Sequence, residues 1–470
     1  MNLWNNILHR AHVSFGVFLF VACFLFVAYE APSMASVSVP AEKLVIISPH
    51  RKSIQDEFVP AFKKYYQEKY QREITVDWID QGGTENNLRY VQAKYKGTPA
   101  TSGVDVFWGG GDVVFTDLEN AALLEAYPLP ADLAKEIPQR AAGVELHSKS
   151  NKWHATALSS FGIFYNKPLL ARLKLPEPRS WEDLADPRYY DLISLADPRH
   201  SATSLFMQML MLYSEGWDKG WQNLAALAGN ARSFTHSSSD PIKAVVSGDA
   251  AIATAIDFYA YAKVAELGQN ALGFVLPAGK TVVNADPIGI LKGASNTLQA
   301  QRFIQFVLSS KAQKLFILPK GHPDGPKYAV LGRLPVNPQA FATLADPKLA
   351  VTSNPFLLGE PTFQVDIAKL SRLDNLLSDL FGAIHIDNHQ HYKKTWALIL
   401  KTKGSEALKK AFGAPPLSEA ELWTYADKWS DNVFRNQTIN SWVQAAKTKD
   451  AGILRGIASL EQAPTAVSKR

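Results

Sequence analysis

Three loops rich in glycine and short polar side chains follow predicted strands in the first quarter of the chain. Each loop precedes a predicted helix, where free backbone N–H groups and the helix dipole favour negative charge. In open α/β sheets the carboxyl ends of the strands meet at one edge, so these loops can converge although they are far apart in sequence. The alternative is that each glycine only forms a tight exit from its strand. We expect one binding site for a small solute, built from these loop residues: Ser48, His50, Gly82, Gly83, Thr84, Gly110 and Asp112.

The sequence carries no recognisable catalytic motif. Gly109-Gly110-Gly111-Asp112 is not a P-loop, because no Gly-Lys-Ser/Thr follows it. A Gly-x-Ser-x-Gly nucleophile elbow does not occur, and no spacing of Ser, His and Asp singles out a triad. We therefore expect a protein that binds without covalent chemistry, and a secreted hydrolase stays an alternative without a motif of its own.

Three histidines lie within seven residues, at His385, His389 and His391. His385 and His389 are four residues apart and could share a helical face, which is a spacing that a divalent metal uses. No Glu lies between them, so the zinc-protease motif is absent. A polar turn between helices with ordinary imidazoles is the favoured interpretation, and a weak transition-metal site is the alternative.

Length and composition set the class of protein. The 470 residues suffice for two large domains. Apolar residues make up 47% and charged residues 20%, which excludes a wholly disordered or fibrous chain. A net charge of +5 is too small for a surface of this size to indicate nucleic-acid binding. The single cysteine excludes an intramolecular disulfide framework and any zinc site made of several cysteines.

The N-terminus predicts export. Residues 13–29 contain no charge, Arg10 precedes them, and Ala31-Pro32-Ser33-Met34-Ala35 follows. This order is typical of a secretory signal over residues 1–35 that is cleaved after Ala35. The apolar run is close to the minimum for a membrane span, so an uncleaved N-terminal anchor is the alternative. Lipidation at Cys23 is disfavoured because the apolar run continues beyond it.

The rest of the chain alternates short apolar strands with helices up to about residue 335, and it is largely helical beyond that point. This alternation is typical of a doubly wound α/β sheet with parallel strands and right-handed crossovers. A second α/β unit begins near residue 145.

The order and spacing of four segments resemble a type 2 periplasmic solute-binding protein of an ABC importer. The resemblance covers residues 43 to about 335 and points to the subgroup that binds ferric iron, organophosphonates and sugar phosphates. The segments are 105–112 (DVFWGGGD), 181–187 (WEDLADP), 247–253 (SGDAAIA) and 286–291 (DPIGIL).

The resemblance implies two α/β lobes, a ligand cleft between them, hinge closure, and delivery of the ligand to a membrane permease. Lobe 1 would comprise 41–144 and 281–335, lobe 2 would comprise 145–280, and 336–470 would form a mostly helical extension packed on the lobes. It further implies a monomer in the periplasm that works without a cofactor. A membrane-tethered ligand sensor is a second alternative, since both the anchor option and the extension leave room for it.

Carried over position by position, the resemblance implies ligand contacts from both lobes. The first lobe would add Arg51 and Gly111 to the loop residues above, and the second would supply Ser159, Ser160, Ser201, Thr203, Asp257 and Tyr259. In iron-binding relatives a Tyr-Tyr pair coordinates the metal, and here the matching pair is Phe258-Tyr259. Tyr261 would share a face with Tyr259 if the segment were extended, so ferric iron held by Tyr259 and Tyr261 is one interpretation. Because Phe258 offers no ligand atom, a phosphate- or phosphonate-bearing anion fits the hydroxyls and cations better.

Overall fold

The structure is a computed structural model. It describes residues 41–97, 100–342, 349–351, 353–357, 372–402 and 406–462. The predicted signal at 1–35 and Cys23 lie outside the described residues. No helix in these ranges combines the length and the apolarity that crossing a bilayer takes.

The strands in the described ranges run in chain order as follows: β1 Glu42–Ile47, β2 Ile74–Ile79, β3 Val106–Trp108, β4 Leu124–Glu125, β5 Arg140–Ala141, β6 Val144–Glu145, β7 His154–Asn166, β8 Ile193–Ala196, β9 Ala231–Thr235, β10 Ile252–Ile256, β11 Leu272–Val275, β12 Val283–Leu291 and β13 Leu334–Pro335. The α-helices are α1 Lys52–Tyr70, α2 Thr84–Gly97, α3 Asp112–Asn120, α4 Ala131–Glu136, α5 Lys167–Arg172, α6 Ala202–Glu215, α7 Trp217–Asn230, α8 Asp240–Ser247, α9 Asp257–Leu267, α10 Thr297–Leu308, α11 Ser310–Ile317, α12 Gln339–Ala342, α13 Asp374–Phe381, α14 His389–Lys401, α15 Glu406–Phe412, α16 Glu419–Ala426 and α17 Asn432–Gln462. Short 3₁₀ turns cover Glu182–Ala185 and Pro187–Tyr189, and a π-helical turn covers Gly382–Ile386.

The main sheet has the strand order β2-β1-β3-β12-β7-β10-β8-β9. The outer pairs are parallel, as the sequence predicts for a doubly wound sheet. The central strands β12 and β7 are antiparallel to their neighbours, so the sheet is mixed rather than wholly parallel. The first half of β7 pairs with β12 and its second half with β10, so this strand runs through both parts of the sheet. β7 is buried over nearly its whole length, and its buried polar residues include Thr156, Ser159 and Ser160.

The two halves of β7 contribute side chains to separate hydrophobic cores. One core packs α1 and α10 around Phe58, Trp108 and Phe303. The other is built around Ile163 and Trp221 and contains side chains of β8, α6 and α7. The predicted two-lobed α/β fold is therefore the observed one. The lobe boundaries at residues 144 and 280 stay predictions.

The C-terminal extension is helical and joins the second core. Leu376, Leu380 and Trp442 are buried in the same cluster as Trp221. At the start of the extension, Val336 and Val351 pack into the first core instead. The extension thus enlarges the hydrophobic core of the second lobe.

The histidine cluster lies within this extension. The buried His385 ring contacts the rings of Trp221, Phe381 and Tyr392, and His389 Nε2 lies 3.1 Å from the Ala228 carbonyl oxygen. Within the described ranges, no group of three or more His, Cys, Asp or Glu side chains is placed to hold a metal ion. Packing of imidazoles between helices accounts for the two positions.

Candidate functional site

A cavity of about 530 Å³ is lined by residues that follow the carboxyl ends of β1, β2 and β3 and by residues that follow β8 and β10. Its wall contains first-turn or capping residues of α1, α2, α3, α6 and α9, together with central-strand residues of β7 and β12. Several helix N-termini at one cavity favour an anionic ligand, because each offers free N–H groups and the positive end of a dipole. The volume is in the range of pockets for small organic molecules, and it is larger than a bare oxyanion needs. The lining residues that the sequence predicted are His50, Arg51, Thr84, Gly110, Gly111, Asp112, Ser159, Thr203 and Tyr259.

The close approach of two loops explains one of these glycines. A Cβ on Gly110, whose φ is +99°, would lie 2.8 Å from Cγ2 of Thr84. Gly110 is therefore required both for its backbone conformation and for the space that it leaves beside Thr84.

The carboxylate of Asp286 forms the centre of a buried charge network in the first lobe. His50 Nε2 lies 2.6 Å from Asp286 Oδ2, and Arg333 Nη1 lies 2.5 Å from the same oxygen. Ser48 Oγ is 3.0 Å from His50 Nδ1. The geometry assigns the neutral tautomer in which Nε2–H donates to the carboxylate and Nδ1 accepts from the serine.

Burial and charge act in opposite directions on this network. Burial alone would raise the pKa of Asp286, but the neighbouring His50 and Arg333 side chains lower it to about 2. Burial lowers the pKa of His50 despite the neighbouring carboxylate. Since the imidazole is then neutral at neutral pH, Arg333 supplies the lasting positive charge that keeps Asp286 ionised.

Two guanidinium groups share the ring of Phe258. Arg51 Cζ lies 4.9 Å and Arg333 Cζ 4.6 Å from the centroid of that ring, and Arg51 is also 4.9 Å from the centroid of Tyr259. Burial, assisted by the charge of Arg333, lowers the pKa of Arg51 to about 10, so Arg51 remains cationic at neutral pH. Nε and Nη2 of Arg51 and Nε of Arg333 are buried without a hydrogen-bond partner among the described residues. Asp286 pairs with His50 and Arg333, so the cavity wall combines unsatisfied donors on Arg51 and Arg333 with the carboxylates of Asp112, Asp286 and Asp374.

Three residues predicted as ligand contacts in the second lobe have structural roles instead and are not part of the cavity wall. The buried Asp257 accepts hydrogen bonds from Ser160 N at 2.7 Å, from Ser160 Oγ at 2.8 Å and from Phe258 N at 2.7 Å. Burial raises the pKa of Asp257 to about 7. Ser201 is the N-cap of α6 and accepts from Ser204 N at 3.1 Å. These bonds fix the start of α9 and α6 beside the cavity.

Ser48, Gly82 and Gly83 also lie outside the wall. Ser48 is fully buried behind His50. Gly82 and Gly83 donate their N–H groups to Asp80 Oδ1 in the loop that precedes α2. Thr84, the first residue of α2, lines the cavity.

The expectation that Tyr259 and Tyr261 share a face is wrong. Residues 257–267 form helix α9 rather than an extended segment, and side chains two positions apart on a helix do not face the same way. The Tyr261 hydroxyl donates to Ser353 Oγ at 2.6 Å, and its ring packs on Phe274. The paired-phenolate iron site is therefore not formed, and Tyr259 is the phenol in the cavity wall.

Sequence reasoning missed several wall residues. Asp286 lies within the segment 286–291 that supports the family resemblance, yet its pairing with His50 is visible only in the fold. Arg333 and Asp374 are far along the chain and follow no motif. Phe258 was considered only for the oxygen that it lacks, although its ring is the platform for two guanidiniums.

A family model described as "Bacterial extracellular solute-binding protein" matches residues 104–324, just under half of the chain. The phosphoglycerate transport regulatory protein PgtC of Salmonella typhimurium is 29% identical over 161 residues, which are 34% of this chain and 40% of that protein. The chain thus spans less than half the length of this curated relative.

Among solved structures, the periplasmic binding protein P5PA has a TM-score of 0.52 at 23% identity, with 72% of this chain and 98% of that chain covered. The Bordetella ferric binding protein has a TM-score of 0.53 at 18% identity, with 74% and 100% covered. These likenesses establish the two-lobed fold. Together with the family model they confirm the resemblance to periplasmic solute-binding proteins, which are binding proteins rather than enzymes.

Proposed function

We propose that this chain is the exported solute-binding component of an ABC importer and that its ligand is a small organic oxyanion bearing a phosphate or phosphonate. The observation that supports this ligand best is the pair of guanidiniums at the cavity wall, with buried donors that lack a partner among the described residues. Guanidinium forks match the geometry of phosphate oxygens, and the surrounding helix N-termini add further N–H groups. The ligand would be released unchanged to a permease.

Ferric iron is the competing ligand. Tyr259 in the cavity wall favours it, and the similar Bordetella protein is named as a ferric binding protein. The two wall guanidiniums disfavour it, because a trivalent cation beside them would need bound anions to offset the repulsion.

A thermal-shift panel tests the proposal on the exported chain. It contains inorganic phosphate, sulfate, 3-phosphoglycerate, hexose phosphates, alkylphosphonates, ferric citrate, polyamines and thiamine. A ligand raises the melting temperature by mass action, and isothermal titration then gives the stoichiometry, which we expect to be one. A shift with phosphate-bearing solutes supports the proposal. A shift confined to ferric citrate, or no shift with any compound, overturns it.

Delivery to a permease has a separate test, because a binder that reports to a membrane sensor would bind the same solutes. The name of the Salmonella relative, a transport regulatory protein, motivates this second candidate. Uptake of the radiolabelled ligand should disappear when the chain is deleted and return when it is supplied. Unchanged uptake with a lost transcriptional response would favour the sensor. Mass spectrometry of the exported protein separates a start at Ser36, which we expect, from an intact N-terminal anchor.

A further inference from the structure

The C-terminal extension contributes a charged side chain to the ligand cavity. Asp374, the first residue of α13, is part of the cavity wall. Asp374 lies beyond residues 104–324, which the family model matches. The similar solved structures align over nearly their whole length, yet they cover about three quarters of this chain. The extension therefore reaches the binding site.

Rigid contacts hold α13 against the second lobe. Leu376 and Leu380 are buried in the core of that lobe. The Asp379 carboxylate accepts from Trp429 Nε1 at 3.1 Å and from Arg435 Nε at 2.7 Å. A side chain at the start of such a helix keeps its place in the wall, as a specificity-determining group requires.

A second set of contacts ties the extension to a loop beside the cavity. Arg199 bonds Asp197 through Nε and Nη2, at 3.0 and 2.7 Å, and Asp387 through Nη1, at 2.6 Å. Asp197 lies in the loop that leads into α6, and Asp387 follows the π-helical turn of the extension. Gly382 leaves room for the Arg199 side chain, since a Cβ there would lie 2.7 Å from it.

Asp374 differs in character from the guanidinium part of the cavity. None of the described residues donates a hydrogen bond to its carboxylate or forms an ion pair with it. Burial raises its pKa to about 6, as expected for a carboxyl without a cation beside it. The helix that it begins packs on α6, whose Leu205, Phe206 and Met209 form an apolar part of the same wall. The cavity therefore offers unpartnered donors at Arg51 and Arg333, an apolar wall, and an unpartnered acceptor at Asp374.

We propose that Asp374 selects solutes that carry a hydrogen-bond donor, an ammonium or a hydroxyl group, in addition to the anionic group. This inference rests on the proposed oxyanion-binding function. Asp374 acts as an acceptor that a purely apolar tail would leave buried and unpaired, which penalises such ligands. The charged end then binds Arg51 and Arg333 while the donor end identifies the solute.

The test uses alkylphosphonates with two to four carbons that end in an amino, a hydroxyl or a methyl group. Titration calorimetry of the native chain should show at least tenfold tighter binding for an amino or hydroxyl terminus than for the methyl terminus of the same length. Asp374→Asn should reduce the preference for the amino terminus at least tenfold, because it removes the charge that binds the ammonium and also relieves the penalty on the methyl series. Asp427→Asn is the matched control, because it removes the same charge from an exposed position of the extension.

Each outcome decides between the proposals. If no phosphonate binds the native chain, the oxyanion function fails and this inference fails with it. Methyl-terminated phosphonates that bind the native chain as tightly as the others overturn the role of Asp374 alone. The same holds if Asp374→Asn or, should that variant unfold, Asp374→Ser keeps the preference of the native chain. An amino preference well above the hydroxyl preference identifies the ammonium as the recognised group, and equal preferences identify a neutral donor.

Discussion

Arg51 offers the sharpest test of the site because its guanidinium is charged, largely buried and without a carboxylate partner among the described residues. Burial and the charge of Arg333 lower its pKa from 12.5 to about 10. That depression means that the charged form destabilises the folded chain by about 3 kcal/mol at neutral pH. Contacts with the rings of Phe258 and Tyr259 return about 1–2 kcal/mol. Arg51→Gln should therefore leave the free energy of unfolding without ligand unchanged or raise it by up to about 2 kcal/mol.

The same substitution should weaken ligand binding strongly. Two unpartnered N–H groups of Arg51 can each form a charge-assisted hydrogen bond to an oxyanion, worth about 1.5–3 kcal/mol. Losing even one of them corresponds to at least tenfold weaker binding. Arg51 would thus contribute to binding at the expense of stability, as functional groups often do.

Urea unfolding without ligand and calorimetric titration with inorganic phosphate and 3-phosphoglycerate measure the two effects. Lys52→Gln is the matched control, since Lys52 is the next residue and its exposed side chain pairs with Asp56. Arg333→Gln provides the contrast, because it also deprives Asp286 of its cation and should lower both stability and affinity. If Arg51→Gln lowers the unfolding free energy by more than about 2 kcal/mol and leaves both affinities unchanged, Arg51 is a structural residue and the argument is refuted.

Three further predictions follow from the same contacts. Asp286 has a folded pKa of about 2, below its unfolded value near 3.8, so its ionised form stabilises the folded chain above pH 4 by about 2 kcal/mol, and this contribution is lost as the pH falls towards 2. The difference in unfolding free energy between the native chain and Asp286→Asn, measured by urea unfolding, should therefore shrink between pH 4 and pH 2. A constant difference would contradict the assignment. Tyr259→Phe should weaken binding of an organic oxyanion by less than about tenfold, whereas a loss of a hundredfold or more for ferric citrate in the same titrations would restore the metal interpretation. Arg199→Gln should lower the unfolding free energy by about 2 kcal/mol, because it leaves the buried Asp197 unpaired; Arg188→Gln, on an exposed copy of the same Asp-Pro-Arg sequence, is the control and should change it little.

Much of the fold could be predicted because it follows from local patterns. Short apolar strands alternating with helices indicated the two α/β units, and polar loops after β1, β2 and β3 indicated the edge at which a ligand binds. The mixed direction of the central sheet could not be read in this way. β7 is one long buried strand, and nothing local in its sequence shows that it pairs with β12 along one half and with β10 along the other.

The site was predicted where it depends on loops near strand ends and missed where it depends on distant segments. His50, Thr84 and Gly110 lie where the loop argument placed them. Tyr261 was misplaced because the argument assumed an extended segment, whereas the apolar positions of 257–267 pack as a helix.

Contacts between residues far apart in the sequence make the chemistry of this cavity different from that of the iron-binding relatives. Phenylalanine at position 258 removes a metal ligand, and the same ring accommodates two guanidiniums that a neighbouring phenolate-bound cation would repel. One of these guanidiniums, Arg333, is already paired with Asp286, whereas Arg51 forms no ion pair with any described residue. A chain that keeps an unpartnered cation buried at this position loses stability unless an anion occupies the cavity. The loss of the phenol and the presence of Arg51 therefore favour the same class of ligand for independent physical reasons.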